Sequence, residues 1–362
     1  MKKIVFWIVS MLSLTVGVAM SGNASARSDS AGKDAVVPDM SDPAVAALLD
    51  SINQSDEARQ DSSLAVVGWF SKGDTVEYLM GHAKWRINGS DTILAASALR
   101  KVRINVLDST AQGYKMKYTF LEPAVGNLPD SASAIEIFQN LLTARLSEKF
   151  VGTSFEFDTD EYGSIIGYED MGKIKKQVKS FYKDIFKEIG KVPEIKELKK
   201  SGIDIEGIVK NADTDPLVAG YLQDLQLLFM YHGSSLEMGS YSLYEEATDS
   251  TFENTSTTTV SLDPDQQFYH IMTEETNVIP QSFLKQFMGG FVEMMGDDGT
   301  RENFENEFDS QVDISCVIRN ILRMDYISNG WPFEIVRQRS TMLRDRGELR
   351  QTYITMTAYH FQ

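Results

Sequence analysis

Residues 311–334, QVDISCVIRNILRMDYISNGWPFE, constrain the fold more than any other part of the chain. Side chains of an extended strand alternate between two faces, so each face is read at every second position. Val312, Ile314, Cys316, Ile318, Leu322, Met324 and Tyr326 share one face, interrupted only by Asn320. Asp313, Ser315, Arg319, Arg323 and Asp325 share the other, with Val317 and Ile321 among them. This is the pattern of a long strand with one buried and one wetter face. Asn329-Gly330 suits the positive φ angles of a tight hairpin turn, and Trp331-Pro332 opens a return strand. A third run, ELRQTYITMTAY at 348–359, follows a turn at Asp345-Arg346-Gly347. The C-terminal part is therefore expected to be a three-stranded antiparallel meander.

Further strands are expected at LAVVGWF, TVEYLMGHAKWRI and RKVRINVLD, and at YKMKYTF, where Tyr114, Met116, Tyr118 and Phe120 face one way. FEFDTDEYGSIIGYED reads as a hairpin turning at Glu161-Tyr162-Gly163. Between them, residues 131–150 have helical spacing. From Gly172 a long helix carries Ile174, Val178, Phe181, Ile185 and Ile189 on one stripe. Helix is expected to continue to about 230, with breaks at Pro193 and Pro216, before strands resume over 236–276. A last helix spans PQSFLKQFMGGFVEMM. Strands at both ends with helices between them imply an α+β fold whose first and last strands join one sheet. The expected domain runs over residues 63–362 and includes a helical insertion near 172–230.

The chain opens MKKIVFWIVSMLSLTVGVAMSGNASA, a basic start, an apolar stretch and the small-x-small site Ala24-Ser25-Ala26. These are the parts of a cleavable export signal covering 1–26. The expected destination is the periplasm or the extracellular space, with no transmembrane segment after cleavage. Residues 27–62, rich in Ser, Asp and Ala, read as a flexible segment. Removing the signal leaves 33 basic residues against 52 acids, a net charge of −19 over 336 residues. Such a balance argues against a nucleic-acid partner, which requires a basic footprint. Cys316 is the only cysteine, so no intramolecular disulfide forms, and its place on an apolar strand face makes it a small buried hydrophobe.

Charge is distributed unevenly. Residues 173–200 hold ten lysines against four acids, and 201–310 hold three basic residues against twenty-one acids. A basic helix face for an anionic surface is one reading; a solvated face off the Ile174–Ile189 stripe is the plainer one. DTDEYGSIIGYE at 158–169 imitates a calcium loop, but Tyr162 stands where a carboxylate or amide oxygen is needed. His82, His232, His270 and His360 share no metal-ligand spacing, so no metal and no cofactor is expected. No nucleophile elbow, phosphate loop or dinucleotide fingerprint occurs.

The meander Val312–Tyr359 with its NGWPFEI turn, the FEFDTDEYGSII hairpin leading into a helix, and the export signal resemble uncharacterised secreted proteins of Gram-negative bacteria, of the Bacteroidota type. More distantly they are similar to the half-barrel of bacterial lipoprotein carriers. That resemblance implies a curved antiparallel sheet with helices on one face, to which the 172–230 insertion is additional. It implies a non-enzymatic role in which an apolar ligand, such as a lipid, lies between sheet and helices. The residues that would line that space are Tyr114, Tyr118, Phe120, Phe283, Phe287, Met288 and Phe291; the other reading of the same residues is that they simply pack together as core. Two alternatives stay open: an envelope module that binds another protein, and a hydrolase whose site one sequence does not reveal.

Overall fold

The structure, a computed structural model, describes residues 63–123, 125–127, 144–145, 147–189, 222–247, 252–263, 267–285 and 316–362. The expected export signal, the segment 27–62, most of the helix expected over 131–150 and most of that expected over 280–295 lie outside these residues. So do Val312, Ile314 and the insertion between 190 and 221.

The expected meander is present as β12 (Cys316–Ile327), β13 (Pro332–Leu343) and β14 (Arg346–His360). Burial on β12 follows the alternation: Cys316, Ile318, Leu322, Met324 and Tyr326 are buried, while Arg319 and Arg323 are exposed. Gly330 occupies the turn with φ of 88°. The second turn sits slightly earlier than the sequence suggested. Leu343 pairs with Arg346, so the loop is Arg344-Asp345, and Arg344 adopts a φ of 56°. Gly347 is already inside the ladder, opposite Met342.

An early strand and the last strand meet in the middle of the sheet. β2 (Thr75–Asn88) pairs with β14 from Thr75↔His360 to Asn88↔Arg346, and on its other side with β3 (Asp91–Thr110). β3 is long enough to carry two partners, β4 (Gly113–Phe120) and β5 (Val125–Asn127). β6 (Ser154–Thr159) and β7 (Ile165–Tyr168) extend one edge; β9 (Gly239–Glu245), β10 (Glu253–Leu262) and β11 (Phe268–Ile279) extend the other. The result is one curved 12-stranded antiparallel sheet, open between β7 and β9.

One expected strand is absent. Of LAVVGWF only Leu64-Ala65 lies in β1 (Ser63–Ala65), which pairs with β8 (Ser235–Glu237) in a separate two-stranded sheet. Residues 66–70 instead stitch loops together: Gly68 N–H donates to Tyr162 O and Trp69 N–H to Asn329 O, at 2.8 and 2.9 Å. Val66 and Phe70 enter the core from this segment. An apolar run reads like a strand, but its amides are satisfied by three different loops.

Helix α1 (Met171–Ile189) buries Val178 and Ile185 and exposes Lys176, Lys179 and Lys183, so the lysines lie on the solvated face. Helix α2 (residues 222–228) contributes Leu222, Leu225 and Leu228 to the same core as Tyr78, Met80, Tyr118 and Met324. Helix α2 therefore packs on one face of the sheet, termed inner below. In the would-be calcium loop, Asp160 Oδ1 accepts from the amides of Tyr162 and Ser164 at 3.0 and 2.8 Å, an Asx-type turn between strands.

A cationic belt on the inner face of the sheet

Cross-strand register sorts the inner face into rows. The row Met80–Ile354–Ile335–Met324–Ile271–Val260 is apolar from β2 to β10 and begins on β3 with Arg100. The next row reads His82–Thr352–Arg337–Leu322–Thr273–Thr258. After it comes Lys84–Arg350–Arg339–Asn320–Glu275–Ser256, and then Arg86–Glu348–Thr341–Ile318–Asn277–Asn254. Between β3 and β10 these four rows hold six basic side chains against two carboxylates, Glu275 and Glu348. Helix α2 adds a third carboxylate, Asp224. In a chain of net charge −17, this is a local inversion of sign.

Each carboxylate of the belt is already engaged. Asp224 accepts from Arg100 and lies 3.0 Å from His82 Nε2. Glu348, nearly buried, accepts from Lys84 Nζ at 2.7 Å and from Arg350 Nε. Glu275 takes the amide groups of Asn277 and Asn320 at 3.1 and 3.2 Å. Arg339 is left without such a bond: its Nε and Nη2 are withdrawn from solvent and have no hydrogen-bond partner. Burial, then the charges of Arg337 and Arg350, hold the Arg339 guanidinium below the usual arginine value, against the pull of Glu275 and Glu348. Burial lowers Arg337 in the same direction.

His82 is lowered to about 4, first by burial and then by the Arg100 charge, and so is neutral at pH 7. Thr352 Oγ1 lies 3.3 Å from its Nδ1, which aligns a hydroxyl, an imidazole and Asp224. The order resembles an acyl-transfer triad, but Thr352 is mid-strand. Its ladder with β13 and β2 consumes the backbone amides that an oxyanion hole would need. The line is better read as a hydrogen-bonded strut between α2 and the sheet.

The aromatic residues expected to line a ligand space do something else. Tyr118 and Phe120 are buried, their rings 5.1 Å apart, and they pack on Phe155 and Phe150. Tyr114 donates its hydroxyl to Gly68 O at 2.7 Å and meets Phe70 edge-on. Phe283 is not with them but edge-on to Phe252. Phe287, Met288 and Phe291 lie outside the described residues. Phe120 does border the belt, since the Arg100 guanidinium stands 6.0 Å over its ring. The belt itself escaped sequence reasoning because its members are scattered from Lys84 to Arg350 and meet only through register. The available signal was the run EIVRQRST in β13, whose two alternating faces are both partly polar.

Cys316 is buried and its thiol is pushed up to about 11 by burial, which leaves it unreactive. Among the described residues no group of His, Cys, Asp and Glu is arranged to hold a metal ion. No helix among them is long and apolar enough to cross a membrane. On the outer face, Glu77 pairs with Lys101 and Arg103, Glu274 with Arg319, and Glu334 with Arg323. Such side chains suit water and not hydrocarbon. A shallow hollow of about 360 Å³ there is lined by residues that include His270, Arg323 and Asp325, with His270 Nδ1 2.9 Å and Arg323 Nε 3.5 Å from the Asp325 carboxylate.

No family model matches the chain, and no curated protein matches it. Among solved structures the chain is similar to an outer membrane channel from Pseudomonas putida F1, at 7% identity and a TM-score of 0.18, over 80% of this chain and 97% of the channel.

Proposed function

We propose that this chain is an exported, non-catalytic binding protein whose ligand, a lipid or similar molecule with an apolar part, lies against the inner face of the sheet. The observation that carries the proposal is the row Lys84–Arg350–Arg339, where three cations stand side by side on adjacent strands. Like charges directly opposite each other destabilise a sheet. Glu348 bridges Lys84 and Arg350, which leaves the charge of Arg339 for a ligand to neutralise. Apolar residues adjoin the belt on both sides, with Met80 and Ile354 above it and Ile318 within its last row. The export signal at 1–26 supports the periplasmic or extracellular destination.

The ligand position differs from the one that the aromatic face suggested. Tyr118 and Phe120 are packed against neighbouring rings, and filled cores leave little room. The belt takes their place as the ligand-bearing surface.

Native mass spectrometry of the protein purified without detergent from the periplasm of an expressing Gram-negative bacterium tests this reading. Expected is an adduct that organic extraction removes and that identifies as a lipid-like molecule. A chain that carries no adduct and takes up no added lipid contradicts it.

A further inference from the structure

Building on the inner-face reading, we infer that the Nε–Nη2 edge of Arg339, flanked by Arg337 and Arg350, is the seat for an oxyanion of the ligand, a phosphate or carboxylate carried by an apolar tail.

The guanidinium presents its N–H groups as planar forks, and a fork grips a carboxylate or phosphate through two parallel hydrogen bonds. Nε and Nη2 form one such fork, and on Arg339 both lack a partner although both are withdrawn from water. The nearby carboxylates do not supply one: Glu348 is taken by Lys84 and Arg350, and Glu275 by Asn277 and Asn320. Buried donors left unmade are costly, so a partner that completes them binds with that advantage. Arg350 stands directly opposite Arg339 and Arg337 lies two residues along the same face, so the added charge is met from three sides. Asn320, directly opposite on β12, leaves its Oδ1 unpaired, an acceptor for a hydroxyl on the ligand's head.

Charge and shape narrow the ligand class. The chain's net charge of −17 repels a polyanion at long range, whereas a single oxyanion meets only the local cations. Leu322 and Ile318 flank Asn320 on the inner face of β12, so the residues next to the fork are apolar. A head of one oxyanion with an alkyl tail fits both features.

Isothermal titration calorimetry of the full mature chain with decyl phosphate, decanol and inorganic phosphate tests the assignment. Expected is binding of decyl phosphate that weakens ~10-fold in Arg339→Lys, which keeps the charge but loses the fork, and ~100-fold in Arg339→Met. Arg103→Met, on the outer face, is expected to bind like the parent. Thermal melts confirm that each variant is folded, and Arg339→Lys preserves size and charge should Arg339→Met fail to fold. Inorganic phosphate binding more weakly than decyl phosphate identifies a lipid headgroup as the source of the anion; equal binding identifies a free oxyanion at the same seat. Equal affinity of parent and both Arg339 variants for decyl phosphate overturns the assignment. Decanol binding as tightly as decyl phosphate also overturns it while leaving the inner-face reading intact. Failure of every probe to bind overturns both.

Discussion

Arg339 on β13 and Arg350 on β14 stand directly opposite each other on the inner face; Arg350 donates to Glu348, whereas Nε and Nη2 of Arg339 have no partner. Like charges directly opposite on neighbouring strands destabilise a sheet, by up to about 1 kcal/mol. The first consequence concerns stability. Arg339→Met removes the repulsion and two unpaired donors while keeping an unbranched side chain. Urea melts are expected to show the variant unchanged or more stable by up to about 2 kcal/mol. A loss of more than about 1 kcal/mol would mean that Arg339 is a structural residue.

The register of β12 makes a second expectation. Ile318 is fully buried and Arg323 is an exposed partner of Glu334. Ile318→Ala is expected to cost about 2–5 kcal/mol. Arg323→Ala should cost under about 1 kcal/mol, as exposed ion pairs do. Equal costs in chemical denaturation would place the wrong face inward.

Two glycines with positive φ separate strain from crowding. A Cβ on Gly330 would approach Val67 O to 2.3 Å and Gly68 Cα to 2.8 Å, both backbone atoms of the segment that stitches the loops. A Cβ on Gly89, in the β2–β3 turn, would meet open space. Gly89→Ala is expected to lose about 1 kcal/mol through its left-handed backbone alone. Gly330→Ala should lose clearly more, about 3 kcal/mol or above, because the backbone around it cannot yield cheaply. Comparable losses would show that residues 66–68 do not pack on this turn.

Much of the sheet was legible in the sequence, and the reason is periodicity. On β12 the alternation of Ile318, Leu322 and Met324 with Arg319 and Arg323 named the buried face correctly, because one side of that strand is nearly all apolar. Asn329-Gly330 marked its turn for the same kind of local reason, a backbone that only some residues tolerate. That the first and last strands would share a sheet was only partly right: β2 pairs with β14, but β1 pairs with β8 in a sheet of its own. The belt was not legible. Lys84, Arg337, Arg339 and Arg350 share no sequence pattern, and only strand pairing, over more than 250 residues for Lys84 and Arg350, makes them one surface. For Tyr118 and Phe120 the sequence left two readings open: it marks an aromatic face, but whether that face is filled or empty depends on Phe150 and Phe155 arriving from elsewhere.

Acid should weaken the fold through His232. This residue is buried among Phe70, Phe229 and Tyr326, with Nε2 3.0 Å from Gly330 O and Nδ1 unpaired, as a neutral ring donating through Nε2 requires. Burial lowers it from 6.5 to about 4. The unfolded chain therefore takes up a proton near pH 6.5 that the folded chain refuses until about pH 4. Its stabilising effect is fully present above pH 6.5 and is lost as the pH falls toward 4, on the order of 3 kcal/mol in all. His82 shifts the same way, but its side chain is 40% exposed and water screens it, so its share is smaller. His232→Gln should flatten most of the stability loss between pH 7 and 4; an unchanged slope would assign that loss to other groups.

The seat of the ligand is tested most directly by NMR of the arginine side chains. In protein labelled with ¹⁵N-arginine, the Nε–H resonance of Arg339 is identified by its disappearance in Arg339→Lys. Adding decyl phosphate is expected to shift that resonance downfield, as a charge-assisted hydrogen bond does, while the Arg103 resonance on the outer face stays in place. An Arg339 resonance that does not move when decyl phosphate saturates the protein would contradict a ligand seated on the inner-face belt.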